Sequence, residues 1–398
     1  MQAAELHSAC GFQGLWSRPL PWLVVSAGAL LMAGVVMIAS ASMDTAAANL
    51  DSSYHYALRQ LLFAGLGCAV GLGAANVPVS WWYRSGWLLL AIAMASLVLV
   101  LTPLGKTVNG STRWIPLGLF NVQVSEVVKL CLIAYLAGYV VRRHDELVNT
   151  WWGFIKPVLV LGVASVLLVT QPDFGAAVVL MTAALGMIFL SGVRLSRFMP
   201  LIAICLILGA VLIITQPYRL KRVVSYLDPW QDQFNTGYQL TQSLIAFGRG
   251  EWTGVGLGNS IQKLFYLPEA HTDFIYAITA EEFGLLGSMS VLGLFTVLVL
   301  AGFAIARKAE RQGMGFAACF AYGLTLLLGL QAMINMAVNT GLLPTKGLTL
   351  PLVSYGGSSL IVVCISIGIL VRIELERQQQ LTADADGKAG PTGPRGAS

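Results

Sequence analysis

The sequence predicts an all-α, polytopic membrane protein of ten transmembrane helices with both termini cytoplasmic. Three observations lead there. Of the 398 residues, 56% are hydrophobic and only 11% charged, against about 25% charged in an ordinary soluble domain. Ten apolar runs, at 22–42, 57–75, 82–101, 123–141, 154–170, 174–191, 198–215, 283–306, 316–338 and 352–371, have the length that crosses the hydrocarbon core as a helix. Lys and Arg collect in alternate connections: Arg142, Arg143, Arg307, Lys308 and Arg311 lie on one side, and only Arg59, Lys106, Arg113 and Lys346 in the short segments of the other. The richer side is cytoplasmic. The formal charge of +5 records this bias and argues no nucleic-acid partner.

The division that follows is a cytoplasmic tail at 1–21, a membrane domain at 22–372 and a disordered cytoplasmic tail at 373–398. Within the membrane domain, 216–283 forms a large outer loop between helices 7 and 8. The first run is too long for the apolar core of a cleaved signal and reads as an anchor. Cys10 precedes the first span and the other five cysteines lie within spans, so no disulfide framework is implied. No pair among His7, His55, His144 and His271 has metal-ligand spacing.

In the second outer loop, Lys106 and Arg113 flank Trp114 at the interface. Interfacial anchoring and binding of an anionic head group account for them equally well. The fourth span opens with Gln123, Ser125, Glu126 and Lys129. Glu126 and Lys129, three apart, are neighbours on one helix face, and ionised groups within a span face a polar interior or cavity. Gln171 to Gly175 form a tight outer turn. In the ninth span Gln331, Asn335 and Asn339 recur every four residues, a polar stripe that interhelical hydrogen bonding explains without a substrate. Gly356 to Ser359 lie near the N-terminus of the last span, where free backbone N–H groups favour an anion; close helix packing by small residues is the competing explanation.

The long loop begins with Arg219, Lys221 and Arg222. Around Gln242, the residues Leu240, Leu244 and Ile245 suggest one face of a short surface helix, and the Gly-rich stretch 248–260 reads as a flexible lid. Near the loop's end Asp273 lies between a turn-forming Leu-Pro and the next apolar run. It therefore sits at the bilayer surface, where a lipid-linked substrate presents its head group. At an ordinary carboxylate pKa of about 3.9 it is ionised.

Two stretches carry a specific likeness. NMAVNTGLLPTKGLTLPLVSYGGSS, Asn335 to Ser359, and GLGNSIQKLFYLPEAHTDFIYA, Gly256 to Ala277, resemble signatures of the SEDS family (shape, elongation, division and sporulation proteins), and its division member more than its elongation member. The resemblance implies a peptidoglycan glycosyltransferase that polymerises lipid II into β-1,4 glycan strands at the division septum, on the outer side of the bacterial inner membrane. Its implied partners are the nascent glycan strand, a class B penicillin-binding protein of the FtsI transpeptidase type, and the regulators FtsQ, FtsL and FtsB. It places the essential loop aspartate on Asp273, the charged pair on Glu126 and Lys129, and the loop arginine on Arg113. Gln123, Arg219, Arg222, Gln242, Asn335 and Ser358 complete the candidate substrate-binding set; metal ligands stay open. The family's usual proline after the glutamine is replaced by Val124, which leaves the helix start less fixed.

The chemistry needs a base for the acceptor sugar's 4-hydroxyl proton, and cations or a divalent ion, Mg or Mn, beside the departing pyrophosphate. With no second carboxylate placed as nucleophile, a single inverting displacement follows, with Asp273 as base. A lipid flippase or transporter, or a division scaffold without chemistry, are the alternatives.

Overall fold

The computed structural model describes residues 12–388 apart from 51, 109–110, 117, 119–120, 216–225, 227, 236 and 346. Eleven helices matter here: α1 (Pro19–Leu50), α2 (His55–Asn76), α3 (Gly86–Leu99), α4 (Val124–Arg142), α5 (Trp151–Thr170), α6 (Phe174–Leu190), α7 (Leu195–Ile214), α8 (Tyr238–Gly250), α9 (Ile275–Arg311), α10 (Gly315–Asn339) and α11 (Gly357–Lys388). Seven of them, α1, α2, α4, α5, α9, α10 and α11, are long and apolar enough to cross a membrane; α3, α6 and α7 are shorter apolar helices that fall on the remaining expected spans. Large apolar side chains such as Val25, Met32, Leu62, Trp87 and Leu206 are exposed, as a lipid-facing surface requires.

The helices approach closely where side chains are small, because lipid supplies little hydrophobic drive between them. A β-carbon on Gly71 would come within 2.7 Å of the Cys364 carbonyl, and one on Gly368 within 2.1 Å of the Gly71 carbonyl, so α2 and α11 meet at backbone contact. At the centre, α4 is buried almost throughout, from Val124 to Val140.

Three departures from the sequence reading stand out. A small antiparallel sheet, β1 (Lys106–Val108), β2 (Ser111–Pro116) and β3 (Asn121–Gln123) in the order β1-β2-β3, folds the second outer loop. Trp114 pairs with Lys106 on one side and with Gln123 on the other. The 216–283 loop ends early: α9 starts at Ile275 and breaks at Gly284, whose φ of 67° and ψ of −161° are non-helical. The tail expected at 373–398 is helical as far as Lys388, and at its start Arg372 pairs with Glu376 and Arg377 with Glu374 along the helix.

The Gly-rich stretch is no lid. Val255 N donates to the Glu281 carbonyl and Gly256 N to the Glu282 carbonyl, while Leu285 N donates to the Glu251 carbonyl. The backbone of 251–256 thus satisfies the groups that the break at Gly284 frees. Glycine is required for the fit: a β-carbon on Gly254 would stand 2.1 Å from the Glu282 carbonyl.

After α10 the chain turns back along it. Asn335 Nδ2 donates to the Leu348 carbonyl and Gln331 Nε2 to the Thr349 carbonyl. Gln331 lies eight residues before the end of α10, about 12 Å down its axis, so residues 347–356 re-enter to that depth. Irregular backbone there is tolerated only where protein buries it or a cavity is lined by it. Here both hold.

Candidate active site

A cavity of about 1030 Å³ opens among β2, β3, the outer ends of α2, α4 and α6, the 269–274 turn and the re-entrant segment. Its ionisable walls are Arg59, Lys106 and Arg113 against Glu126, Glu269 and Asp273. That places Gln123, Arg113, Glu126 and Asp273 of the expected set together. Arg219 and Arg222 lie outside the described residues.

Asp273 is held through its backbone. Its carbonyl accepts from Asn335 Nδ2 at 2.9 Å and from Asn339 Nδ2 at 3.0 Å, and Asn339 Oδ1 accepts from Ala277 N. The polar stripe of α10 therefore fixes the 269–274 turn and the start of α9. Asn335 is a positioning residue, not a wall of the cavity. The Asp273 carboxylate makes no hydrogen bond to any described residue, which leaves it free for a ligand.

The expectation of an ordinary pKa fails. Asp273 keeps some accessible surface, but that surface faces a walled cavity and not bulk water. Desolvation is the largest influence; the Glu269 and Asp173 carboxylates add to it and Arg113 opposes it, and the group is raised to about 7. His271, two residues earlier, is lowered by burial against the opposing pull of Glu269.

Arg113 is anchored from behind: Nη2 donates to the Pro172 carbonyl at 2.6 Å and to Ser111 Oγ, and Nη1 stands 3.7 Å from Asp173 Oδ1. Asp173 is buried, caps α6 through Ala176 N, and has Oδ2 without a hydrogen-bond partner. The turn 171–175 was thus more than a connection. Gly347 leaves the space between Asp273 and Arg113 open, since a β-carbon there would lie 3.3 Å from Asp273 Oδ2 and 4.0 Å from Arg113 Nη1.

The fourth-span pair is divided by the cavity wall. Glu126 lines the cavity, whereas Lys129 lies behind it, buried, donating to Glu126 Oε1 at 2.9 Å and to Gln331 Oε1 at 2.6 Å. Lys129 therefore does not line the cavity, and Arg59, on the first turns of α2, supplies cavity charge instead. The sparse basic residues of the outer side were the available signal for Arg59. Ser358 is likewise structural: its hydroxyl accepts from Gln123 N at 3.1 Å. That bond and the pairing of β3 fix the start of α4 without a proline. Gln242 does not line the cavity; Gln239, one turn earlier on α8, does. On the same helix Leu240 is buried while Ile245 faces out. Among the described residues no three His, Cys, Asp or Glu side chains could hold one metal ion, so these side chains do not form a metal cage.

The chain matches the cell cycle protein family of FtsW, RodA and SpoVE over residues 21–379. It is 74% identical over 375 residues, covering 94% of each chain, to the probable peptidoglycan glycosyltransferase FtsW of Marinobacter nauticus. It is 58% identical over 355 residues, 89% of each chain, to the protein of the same name from Hahella chejuensis. Among solved structures, one from a peptidoglycan synthase complex described as coordinating polymerization and crosslinking aligns with a TM-score of 0.73 at 28% identity, covering 90% of this chain and 98% of that one. The rod shape determining protein RodA of Thermus thermophilus aligns with a TM-score of 0.65 at 25% identity, covering 89% and 96%. Matched along nearly its whole length, this multi-pass membrane protein belongs to the FtsW/RodA/SpoVE family of cell cycle proteins.

Proposed function

We propose that the chain is a peptidoglycan glycosyltransferase that polymerises lipid II at the division septum, with its cavity on the periplasmic side of the inner membrane. The observation that carries the reading is Asp273: a carboxylate without a hydrogen-bond partner among the described residues, raised to about 7, in a cavity that also holds Arg59, Lys106 and Arg113. A base is most effective with its pKa near the working pH. The acceptor 4-hydroxyl oxygen attacks the anomeric carbon of the donor sugar as its proton passes to Asp273. The bond from that carbon to the pyrophosphate breaks, and its electron pair leaves with the lipid pyrophosphate. Lys106 and Arg113 face the departing charge, in the manner of preorganised electrostatic stabilisation. One displacement from the opposite face inverts an α-linked donor to a β-1,4 product. A divalent cation, Mg or Mn, belongs to this reading only as a companion of the substrate's pyrophosphate.

The names of the relatives support the activity, and the peptidoglycan synthase complex supports a crosslinking partner, a class B penicillin-binding protein; FtsQ, FtsL and FtsB complete the proposed assembly. Against a flippase, the buried face of α4 below Lys129 is apolar or aromatic as far as Val140, so no polar path continues through it. Asp273→Asn, assayed on purified protein in detergent with lipid II, is expected to lower polymerisation by about 10²–10⁴-fold while the protein stays folded, unfolding at no lower a temperature than wild type. Wild-type glycan synthesis by this variant removes Asp273 as the base.

A further inference from the structure

An aromatic wall stands beside Asp273, and nothing in the mechanism above uses it. Tyr56 packs on His271 with ring centres 4.9 Å apart and planes tilted by 39°; Tyr355 meets the edge of Tyr56 at 5.3 Å and His271 at 5.8 Å. Tyr56 and Tyr355 both line the cavity and are half-buried. The cluster is tied to the catalytic turn, because Tyr355 N donates to the His271 carbonyl at 3.0 Å. Arg59, one turn beyond Tyr56 on α2, lies beside the Tyr355 hydroxyl and also lines the cavity.

Two half-buried aromatic rings edged by a guanidinium and a phenol hydroxyl match the two sides of a sugar. The C–H face of a pyranose is apolar and packs on a ring face, while its rim of hydroxyl and acetamido groups needs donors and acceptors. A pyrophosphate alone would use the arginine and leave the tyrosines unexplained. The base two residues from His271 must reach an acceptor hydroxyl, so the sugar on this wall is the acceptor's and not the donor's.

We propose that Tyr56 and Tyr355, with Arg59 at their edge, form an acceptor subsite for a β-1,4-linked N-acetylhexosamine ring, holding its 4-hydroxyl toward Asp273. The assignment of donor and acceptor rests on the glycosyltransferase reading; the binding of glycan does not.

The test is saturation-transfer NMR on the full chain in detergent micelles, with a β-1,4-linked N-acetylglucosamine tetramer as the probe. Transfer from aromatic protons to the sugar C–H protons is expected in the wild type and in Tyr56→Phe. Tyr56→Leu is expected to bind about tenfold more weakly. Tyr355→Leu gives the same loss and decides the matter if Tyr56→Leu does not fold. Wild-type affinity in both leucine variants, or no transfer in the wild type, overturns the proposal. Polymerisation measured on the same samples separates the two readings: glycan binding without polymerisation leaves this subsite standing and sinks the enzymatic reading, and polymerisation without aromatic transfer does the reverse.

Discussion

Two groups of buried charge stand on the outer half of the bundle, and their hydrogen bonds are completed differently. Glu281 accepts from Ser260 Oγ, Ile261 N, Gln262 N and Arg249 Nη1, and Glu282 from Ser40 Oγ and Lys263 Nζ. Lys263 Nζ also donates to Ser40 Oγ and the Gly258 carbonyl. Glu126, by contrast, has one hydrogen-bond partner among the described residues, Lys129, and Asp273 has none on its carboxylate. A charge withdrawn from water must be compensated. Where protein atoms do all of it the group is structural; where acceptor capacity is left open toward a cavity, a ligand can complete it.

That contrast can be broken by mutation, and the largest effect is expected at the closed cluster. Glu282→Ala strands Lys263 in a dry site and is expected to cost about 3–5 kcal/mol of stability, read as a fall in the unfolding temperature of the detergent-solubilised protein. Adding Lys263→Met should recover most of it. An unchanged unfolding temperature in Glu282→Ala would show that the cluster holds nothing together.

At the open pair the balance reverses. Glu126→Gln keeps an acceptor for Lys129 and faces the cavity, so its stability cost should be about 1 kcal/mol or less, while lipid II polymerisation slows about tenfold, equivalent to about 1.4 kcal/mol. Full activity in Glu126→Gln combined with Lys129→Met would place this pair with the structural one.

The smallest effect sharpens the comparison through pH. With Asp273 raised to about 7, the polymerisation rate should fall by half near that pH on acidification, not near 4. The folded protein binds this proton more tightly than the unfolded chain does. Its contribution to stability is therefore fully present below the ordinary carboxylate range and is lost as pH rises through about 7. Asp273→Asn should consequently unfold at a higher temperature than wild type at pH 8, and the two should converge only as the pH falls below the ordinary carboxylate range of about 3.9. An acid limb centred near 4 would contradict the enclosure of this carboxylate.

Much of this was legible in the sequence, for physical reasons that also mark where legibility ends. Hydropathy is summed over many residues, so the apolar runs and their basic connections stood out. Asp273, Arg113, Gln123 and Glu126 were identifiable from motif and position. The environment of Asp273 was not, because its walls come from Asp173, Arg113 and Gly347, far apart in the chain. Lys129 and Asn335 lie on the expected helix faces, but which neighbour each would meet depended on the re-entrant segment. The glycines at 250–258 carry the composition of a mobile loop, and only the broken helix they pack against makes them rigid. The three-stranded sheet left a faint trace in the Thr, Trp and Ile of β2, too short to outweigh the loop around it.

The break at Gly284 turns the outer piece of α9 into a lever. Asp273 sits just before its near end, which Asn335 and Asn339 tie to α10, and the piece from Ile275 to Phe283 is about 13 Å long at 1.5 Å per residue. Glu281 and Glu282 bolt the other end to the 249–263 segment. A tilt of about 5° at the pivot swings the carboxylate by about 1 Å, a displacement of the size that can change a rate about 10²-fold. The position of the Asp273 carboxylate is thus set from both ends of this piece, by Asn335 and Asn339 beside it and by contacts that Glu281 and Glu282 make outside the cavity.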